Sequence, residues 1–242
     1  MLPTEKTKPK EGLWQHPILL YGPPKIGKSC LLSEINKNLF FNTGGGLDAL
    51  EVFQTPVTTW EEFLEAGAEF LKGEHDFKVC TIDTIDRLHK LAITYIIKQQ
   101  NVKHPQDLDF GKGYDMIKDE MMRPLMKLAL SKYGLIFVSH TKEIEVKTRI
   151  AQITKTIPTL QDHVWQLIDS ITGIIMLYTT ETTPEGVKRV LKVQPNESWI
   201  AGDRTGKLAR HGDIILGAQG GNWAKIEAIF THTETKEVVH GK

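Results

Sequence analysis

Short apolar runs alternate with amphipathic stretches through the first 140 residues of the chain. The apolar runs have the length of strands and lie at residues 18–21, 39–42, 77–82 and 134–138. Between them, apolar positions recur every three or four residues, which predicts helices at 28–37, from the Thr58-Thr59 cap to about 71, at 87–100 and at about 114–132. Strands that alternate with helices predict an α/β fold with a mostly parallel central sheet flanked by helices. Ligands of such sheets bind at the carboxyl ends of the strands.

The pattern changes after residue 140. Residues 141–159 are polar and charged, and they predict a loop. A short helix, two strands at about 171–178 and 187–193, and a loop-rich tail follow, so antiparallel additions are expected after the core. We therefore expect a flexible N-terminal arm at 1–16, one core domain at 17–210 and a C-terminal extension at 211–242.

Composition and charge narrow the class of protein. The 242 residues are 40% hydrophobic and 25% charged, which is typical of a globular domain, and the net charge of zero predicts no partner by itself. The run at 171–178 is much shorter than the roughly 20 residues of a membrane-spanning helix. The N-terminus lacks the apolar core of a signal peptide. A cytoplasmic protein without a membrane partner is expected, with Cys30 and Cys80 as small buried side chains.

One motif predicts the ligand. Residues 22–29 have the spacing G-x-x-x-x-G-K-[ST], and they follow a predicted strand and precede a predicted helix. Glycines at these positions let backbone N–H groups converge on phosphate oxygens. The lysine would reach the β- and γ-phosphates of a nucleoside triphosphate, and the serine hydroxyl would bind Mg²⁺. The predicted nucleotide-binding residues are Gly22, Pro23, Pro24, Lys25, Ile26, Gly27, Lys28, Ser29 and Cys30.

Two acidic residues follow the third predicted strand. Asp83 ends that strand, and a carboxylate there holds Mg²⁺ directly or through water, so Ser29 and Asp83 are the predicted metal ligands. The alternative is an aspartate that caps the next helix. Asp86 either orients the attacking water or is the N-cap of the helix that begins at Arg87.

Further polar residues are expected at the same sheet edge. His140 follows the strand at 134–138, where it could touch the γ-phosphate and report hydrolysis to the next segment, or could only cap the strand. That segment is either a DNA-binding loop or an ordinary solvated loop. Its candidate DNA-binding residues are Lys142, Lys147, Arg149 and Lys155.

Two later basic residues are candidates for a role between subunits. Arg204 and Lys207 lie in a loop after the last predicted strand. A basic residue there could reach the γ-phosphate of a neighbouring subunit and stabilise the transition state. An exposed turn explains both residues equally well. Lys28, Asp83, Asp86, His140, Arg204 and Lys207 together form the predicted catalytic set.

Several segments in this order resemble the small phage nucleotide-binding proteins with a RecA-like P-loop ATPase core, some of which are single-strand annealing proteins or recombinases. The resemblance covers about residues 17–210. It is carried by six segments: the phosphate loop at 22–29, Phe40-Phe41-Asn42 with its Gly-rich turn, the Asp83 strand, Asp109-Phe110-Gly111-Lys112-Gly113-Tyr114, Phe137-Val138-Ser139-His140 and Ala201-Gly202-Asp203-Arg204.

The resemblance implies a RecA-like fold and an ATPase that uses ATP and Mg²⁺. It also implies a phage-encoded protein in the bacterial host cell that binds single-stranded DNA, assembles into rings or filaments and works with a single-strand binding protein in recombination. One departure matters. Gly44 stands where RecA-like enzymes carry a catalytic glutamate, so hydrolysis is expected to be slow, or Asp86, Asp48 or a neighbouring chain supplies the base.

Three functions remain open from the sequence. The first is an ATPase of phage recombination that promotes annealing or strand exchange on single-stranded DNA. The second is a nucleotide-controlled loader or switch with little hydrolysis, which Gly44 favours. The third is a small-molecule kinase. A GTPase is disfavoured because the guanine-recognition string [NT]-K-x-D is missing from the sequence.

Overall fold

The computed structural model describes residues 2, 4–108, 111–147, 152–184, 186–218 and 220–232. Its strands are β1 (Ile18–Tyr21), β2 (Asn38–Asn42), β3 (Phe53–Pro56), β4 (Val79–Asp83), β5 (Gly134–Ser139), β6 (Thr141–Lys147), β7 (Gln152–Pro158), β8 (Ile174–Thr183), β9 (Gly186–Lys192), β10 (Gly202–Asp203) and β11 (Ile214–Leu216). Its helices are α1 (Lys28–Ser33), α2 (Trp60–Lys72), α3 (Ile85–Gln100), α4 (Lys112–Ala129), α5 (Asp162–Ile171), α6 (Lys207–His211) and α7 (Asn222–His232). Single 3-10 turns form at Leu13–Gln15 and Pro105–Asp107.

The central sheet is mostly parallel, which confirms the predicted fold class. Its strands pair in the order β11-β9-β8-β1-β5-β4-β2-β3, with β10 on β8. The five neighbouring pairs from β8 to β3 are parallel, whereas β9, β10 and β11 pair antiparallel. The antiparallel strands therefore lie toward the C-terminal end of the chain, as expected.

Both faces of the sheet are covered, because alternate residues of β1 enter different cores. Leu19 and Tyr21 pack with residues of α2 to α5 on one face. Ile18 and Leu20 pack on the other face with residues of α1, α6 and α7. Strand β5 is buried along its whole length. Burial on both sides explains why these strands are uninterrupted apolar runs in the sequence.

The segment at 141–159 is not the predicted loop. Strands β6 and β7 pair antiparallel as a two-stranded sheet outside the central one. Both strands contain threonine and isoleucine, and β6 also contains Val146; these residues favour extended backbone. The charged residues between them interrupt the apolar run by which a strand is predicted. The predicted DNA-binding residue Arg149 lies outside the described residues, as do Asp109 and Phe110.

The prediction of a loop-rich tail is also wrong for residues 207–232. This segment contains α6, β11 and α7, and the side chains of Trp223, Ile226 and Phe230 are buried. At the other end of the chain, Leu13 is buried in the same core. In the part of the chain that the structure describes, every helix is too short or too polar to cross a membrane.

Two helices differ in detail from the prediction. Helix α1 ends at Ser33 and not at the predicted residue 37. The side-chain amide of Asn38 donates to the carbonyl oxygen of Leu32 at 3.1 Å, which also accepts from the N–H of Ile35. Helix α2 has the predicted Thr59 cap, whose hydroxyl accepts from the N–H of Glu62. Its buried face is Trp60, Phe63, Gly67 and Phe70, whereas Phe63, Leu64, Ala68 and Leu71 were predicted.

Candidate nucleotide-binding site

The carboxyl ends of four neighbouring strands bring the predicted site residues together. Tyr21, the last residue of β1, pairs with Ser139 at the end of β5, and the phosphate loop begins at the next residue. Asp83 ends β4 and pairs with Val138 on one side and Asn42 on the other. Parallel pairing in register therefore gathers the phosphate loop, Asp83 and the residue after β5 at one sheet edge.

Two glycines give the phosphate loop its backbone course. A Cβ on Gly22 would lie 2.3 Å from the carbonyl oxygen of Tyr178, so only glycine fits where the loop leaves β1. Gly27 has φ 107°, a left-handed conformation that a side chain would strain, and helix α1 begins at the next residue. The glycine spacing of the motif thus has a steric cause at each end.

The ammonium of Lys28 is held by the loop itself. Lys28 is 5% exposed, and its Nζ donates to the carbonyl oxygens of Gly22 at 2.8 Å and Pro23 at 2.9 Å. Burial lowers the pKa of Lys28 to about 8, although the carboxylates of Asp83 and Asp86 oppose that shift. The lysine therefore places a poorly compensated positive charge where the motif predicts the β- and γ-phosphates.

Ser29 and Asp83 are already in contact. The Ser29 hydroxyl donates to Oδ2 of Asp83 at 2.6 Å. Burial raises the pKa of Asp83, and the bond from Ser29 opposes that rise. A hydroxyl and a carboxylate form a hard oxygen pair suited to Mg²⁺, which takes its remaining ligands from phosphate oxygens and water. In the described residues no cluster of three or more His, Cys, Asp or Glu side chains could hold a metal ion.

Magnesium, when bound by Ser29 and Asp83, would neutralise charge on the phosphate oxygens. The chain itself supplies the orientation of these two ligands. The hydroxyl of Thr43 donates to the carbonyl oxygens of Asp83 and Thr84, each at 3.0 Å, and accepts from the N–H of Thr84 at 2.8 Å. These bonds tie the end of β2 to the end of β4 and hold the backbone of Asp83 in place.

Asp86 is not the N-cap of the helix that follows β4. That role belongs to Thr84, whose hydroxyl accepts from the N–H of Arg87, and α3 begins at Ile85. Both carboxylate oxygens of Asp86 accept hydrogen bonds instead: Oδ1 from the hydroxyls of Ser139 and Thr159, and Oδ2 from the N–H of His140 at 3.3 Å. Asp86 therefore joins the end of β5 to the residue that follows β7.

His140 lies beside the phosphate-loop lysine. Its Nδ1 is 3.3 Å from Nζ of Lys28, and its carbonyl oxygen accepts from the N–H of Thr159 at 3.0 Å. Burial lowers the pKa of His140, and the positive charge of Lys28 lowers it further. A neutral imidazole at pH 7 can accept a hydrogen bond from Lys28 or donate one to a phosphate, depending on its tautomer.

A cavity of about 380 Å³ opens in front of these groups. Its walls include the predicted residues Lys28, Ser29, Asp83 and His140, and also Gly44 and Arg87. Arg87 was missed by the sequence-based prediction, although its position one turn after Asp83 was a usable signal. Asp48, a candidate for the missing base, is exposed and is not among the lining residues.

The two cysteines differ. Cys30 lines the cavity and is exposed, so the expectation that it is buried is wrong. The start of α1 faces the ligand site, and its side chains are therefore not all core residues. Cys80 is buried as expected, and burial raises the pKa of its thiol to about 12.

Arg204 and Lys207 lie at the opposite edge of the sheet. Strand β10 pairs with Ile174 and Ile175 at the amino end of β8, and Nη2 of Arg204 donates to the carbonyl of Asp169 at 3.1 Å. The ammonium of Lys207 lies 4.5 Å from the centre of the Phe230 ring. The structure does not bring either residue to the phosphate loop of its own chain, so their role on a neighbouring subunit stays a prediction.

The candidate DNA-binding lysines are divided between two faces of the β6–β7 hairpin. Ile144 pairs with Lys155, and Lys142 pairs with Ile157. Side chains alternate along strands and cross-strand partners share a face, so Lys142 and Lys155 lie on one face with the apolar residues. Lys147 lies on the other face with Glu143 and Glu145.

The similarity of the chain to known proteins agrees with this geometry. A family model described as an AAA domain matches residues 15–205, which is most of the 242-residue chain. The chain belongs to this family. Curated proteins, by contrast, include no match to it. The matched range of the AAA domain contains the phosphate loop, Asp83, His140 and the β6–β7 hairpin, and ends just after Arg204.

Family membership establishes the general chemistry of the site. The protein is a P-loop NTPase-type AAA domain and so an ATP-binding protein, and residues 22–29 carry the motif for that role. Phosphate-loop domains of this type bind nucleotide together with Mg²⁺, and Ser29 and Asp83 are the residues of this AAA domain with the chemistry for that ion.

Proposed function

We propose that this AAA domain is an ATPase of DNA recombination that binds single-stranded DNA. Its affinity for DNA depends on which nucleotide is bound. The observation that carries the proposal is the hydrogen-bond path from Lys28 through His140 and Asp86 to both ends of the β6–β7 hairpin. A charged element tethered to the phosphate site at both ends is well placed to change with the nucleotide.

The path has two branches. His140 comes directly before β6 and lies 3.3 Å from the phosphate-loop lysine. Thr159 comes directly after β7, donates its hydroxyl to Asp86, and donates its N–H to the carbonyl of His140. A phosphate that competes with His140 for the ammonium of Lys28 would therefore affect the start of β6 and the end of β7 at the same time.

The face of the hairpin that carries Lys142 and Lys155 suits a nucleic-acid strand. It combines two cations with exposed Ile144 and Val146, which are 37% and 36% exposed. Cations attract phosphodiesters without regard to sequence, and apolar side chains can contact the faces of unpaired bases. Glu143 and Glu145 lie on the other face and would repel the same ligand.

Hydrolysis in this proposal is slow. Gly44 lines the cavity but has no side chain to activate water, and Asp86 accepts from three donors through its two oxygens. In this proposal Asp86 therefore positions the hairpin and is not the main candidate for the base that activates water. Arg204 and Lys207 remain candidates for residues that act across subunits of a ring or filament, and a single-strand binding protein remains a candidate partner.

The glycine at position 44 also supports a second function, a nucleotide-controlled loader or switch with little turnover. A small-molecule kinase is a third class.

One experiment separates these three functions: ATP hydrolysis is measured with and without single-stranded DNA, and DNA affinity is measured with ATP and with ADP. We expect slow hydrolysis that DNA accelerates, and tighter DNA binding with ATP. Tight ATP binding without turnover would favour the switch, and phosphate transfer to a metabolite the kinase.

A matched pair of lysine variants tests the DNA-binding face. Lys155→Ala removes a cation from the apolar face, whereas Lys147→Ala removes one from the acidic face. We expect Lys155→Ala to weaken single-stranded DNA binding and to lower the magnitude of the salt slope by about 0.7, the contribution of one phosphate contact. Lys147→Ala should change either value less. Equal effects of the two variants would contradict this assignment of faces.

A further inference from the structure

A second cation faces the phosphate cavity besides Lys28. Arg87 lies in the first turn of α3, four residues after the metal-ligand candidate Asp83, and its exposed side chain lines the same cavity. Helix α3 begins at Ile85, two residues after the end of β4, so the strand that positions Asp83 also positions the first turn of α3. Arg87 is therefore held at the wall of this cavity by a helix and not by a loop.

Among the described residues, no acidic side chain neutralises the guanidinium of Arg87. Across the described residues, its side chain makes no hydrogen bond or ion pair, whereas its backbone N–H donates to the hydroxyl of Thr84. By comparison, the carboxylate of the neighbouring Asp86 is occupied by Ser139, His140 and Thr159. An arginine that faces a phosphate cavity without an acidic partner is available to an anionic ligand.

Gly44 explains how Arg87 keeps that position. A Cβ on Gly44 would lie 3.3 Å from Cδ and 3.9 Å from Nε and Nη1 of Arg87, which is close packing against the arginine stem. A side chain at position 44 would require the stem of Arg87 to move by a few tenths of an ångström, and a carboxylate there could pair with its guanidinium. The glycine and the arginine together make this corner of the cavity cationic, where a glutamate at position 44 would have made it acidic.

We propose that Arg87 binds the terminal phosphate of ATP in its own chain and distinguishes ATP from ADP. The inference rests on the proposed function only in taking ATP as the ligand. A guanidinium can donate two parallel hydrogen bonds to one phosphoryl group, and the γ-phosphate is the group that lies nearest Lys28, Asp83 and His140 in a phosphate-loop site. Arg87 thereby supplies charge at the position that lacks the usual glutamate.

The test is calorimetric titration of the full chain with ATP and with ADP, each with Mg²⁺. Arg87→Ala is compared with Lys90→Ala, which removes an exposed cation one turn further along α3, outside the cavity lining. Charged hydrogen bonds predict that Arg87→Ala weakens ATP binding about 10- to 100-fold. ADP binding should change less than about threefold, because the lost partner is the γ-phosphate. Arg87→Lys should recover part of the loss.

The outcomes are distinguishable. Selective loss of ATP affinity in Arg87→Ala, with Lys90→Ala unchanged, supports the proposal. An equal loss for ATP and ADP, or no loss for either, overturns it while the ATPase proposal stands. If the unaltered protein binds no nucleotide, the proposed function fails and takes this inference with it. A thermal melt of each variant, expected within a few degrees of the parent because Arg87 is exposed, shows that the fold is intact.

Discussion

Two buried lysines of this protein have opposite surroundings. Lys28 in the phosphate loop and Lys192 in β9 are 5% and 6% exposed. Lys28 donates to two carbonyl oxygens and has a pKa lowered to about 8 by burial. Lys192 pairs with Glu181 and with Asp213 at 2.6 Å, and these carboxylates raise its pKa against the effect of burial.

The difference shows that a buried cation can either stabilise the fold through internal ion pairs or remain available to bind an anionic ligand. The charge of Lys192 is neutralised inside the chain, where it joins β8, β9 and the segment before β11, and it also lies 5.0 Å from the centre of the Trp199 ring. The ammonium of Lys28 contacts carbonyl oxygens directly, and the carboxylates of Asp83 and Asp86 only partly offset the effect of its burial, so its charge is available to an anionic ligand. Buried positive charge without a carboxylate in contact is therefore the electrostatic mark of the ligand site.

The largest difference between the two lysines is expected when each is exchanged for methionine. Methionine keeps the length of the side chain and removes the charge. Lys28→Met should weaken ATP binding by at least about 100-fold, because a desolvated ammonium–phosphate contact is lost. Lys192→Met should leave ATP affinity within about threefold of the parent value. Calorimetric titration with ATP and Mg²⁺ measures both affinities, and equal losses in the two variants would show that the two lysines do not differ in this way.

Folding stability should respond to the same two variants with opposite signs. The pKa of Lys28 in the folded protein lies below its value of 10.5 in the unfolded chain, so the positive charge destabilises the folded state. This destabilisation is complete below pH 8 and declines progressively between pH 8 and about pH 10.5. Lys28→Met should therefore raise the free energy of unfolding at pH 7 by about 1–3 kcal/mol. Lys192→Met should lower it by about 1–3 kcal/mol, because half-exposed Glu181 and Asp213 lose their partner.

Denaturant unfolding of both variants at pH 7 and pH 10 measures these changes. The gain in Lys28→Met should shrink at pH 10, where Lys28 of the parent protein is mostly uncharged in the folded state. A lysine at position 28 that stabilised the fold at pH 7 would contradict the assignment of its charge to the ligand.

The smallest expected effect is the pH dependence of ATP binding. As pH rises through about 8, the free protein loses the proton of Lys28, whereas bound phosphate favours the protonated form. ATP affinity should fall by up to about tenfold per pH unit above pH 8 and stay nearly flat from pH 7 to 8. Lys192→Met should keep this profile. A flat profile up to pH 9.5 would show that the pKa of Lys28 is not lowered.

The phosphate loop, Asp83 and His140 could be predicted because each is defined locally. The motif carries its own glycines, and Asp83 and His140 follow apolar runs long enough to identify as buried strands. In a parallel sheet, strand ends on the same edge converge, so placement after a strand is enough to place a side chain.

The roles of Asp86, Arg87 and the β6–β7 hairpin could not be predicted in the same way. Asp86 at the start of a helix resembles a cap, and only the approach of Thr159, 73 positions later, shows its other bonds. Arg87 is one exposed cation among many until Gly44 is found beside it. Mixed charges in 141–147 suppress the apolar signal of a strand, so the hairpin appears only once its two halves pair.

The sequence alone determined the fold class and the phosphate-binding chemistry, because strand-helix alternation and the eight-residue motif act over short distances along the chain. Tertiary structure decided which charges are compensated. The carboxylates that pair with Lys192 and the groups that donate to Asp86 come from other elements. Arg204 lies at the far edge of the sheet because the preceding strand, β10, pairs with the amino end of β8. Compensation depends on distances between residues far apart in sequence, and those distances exist only in the folded chain.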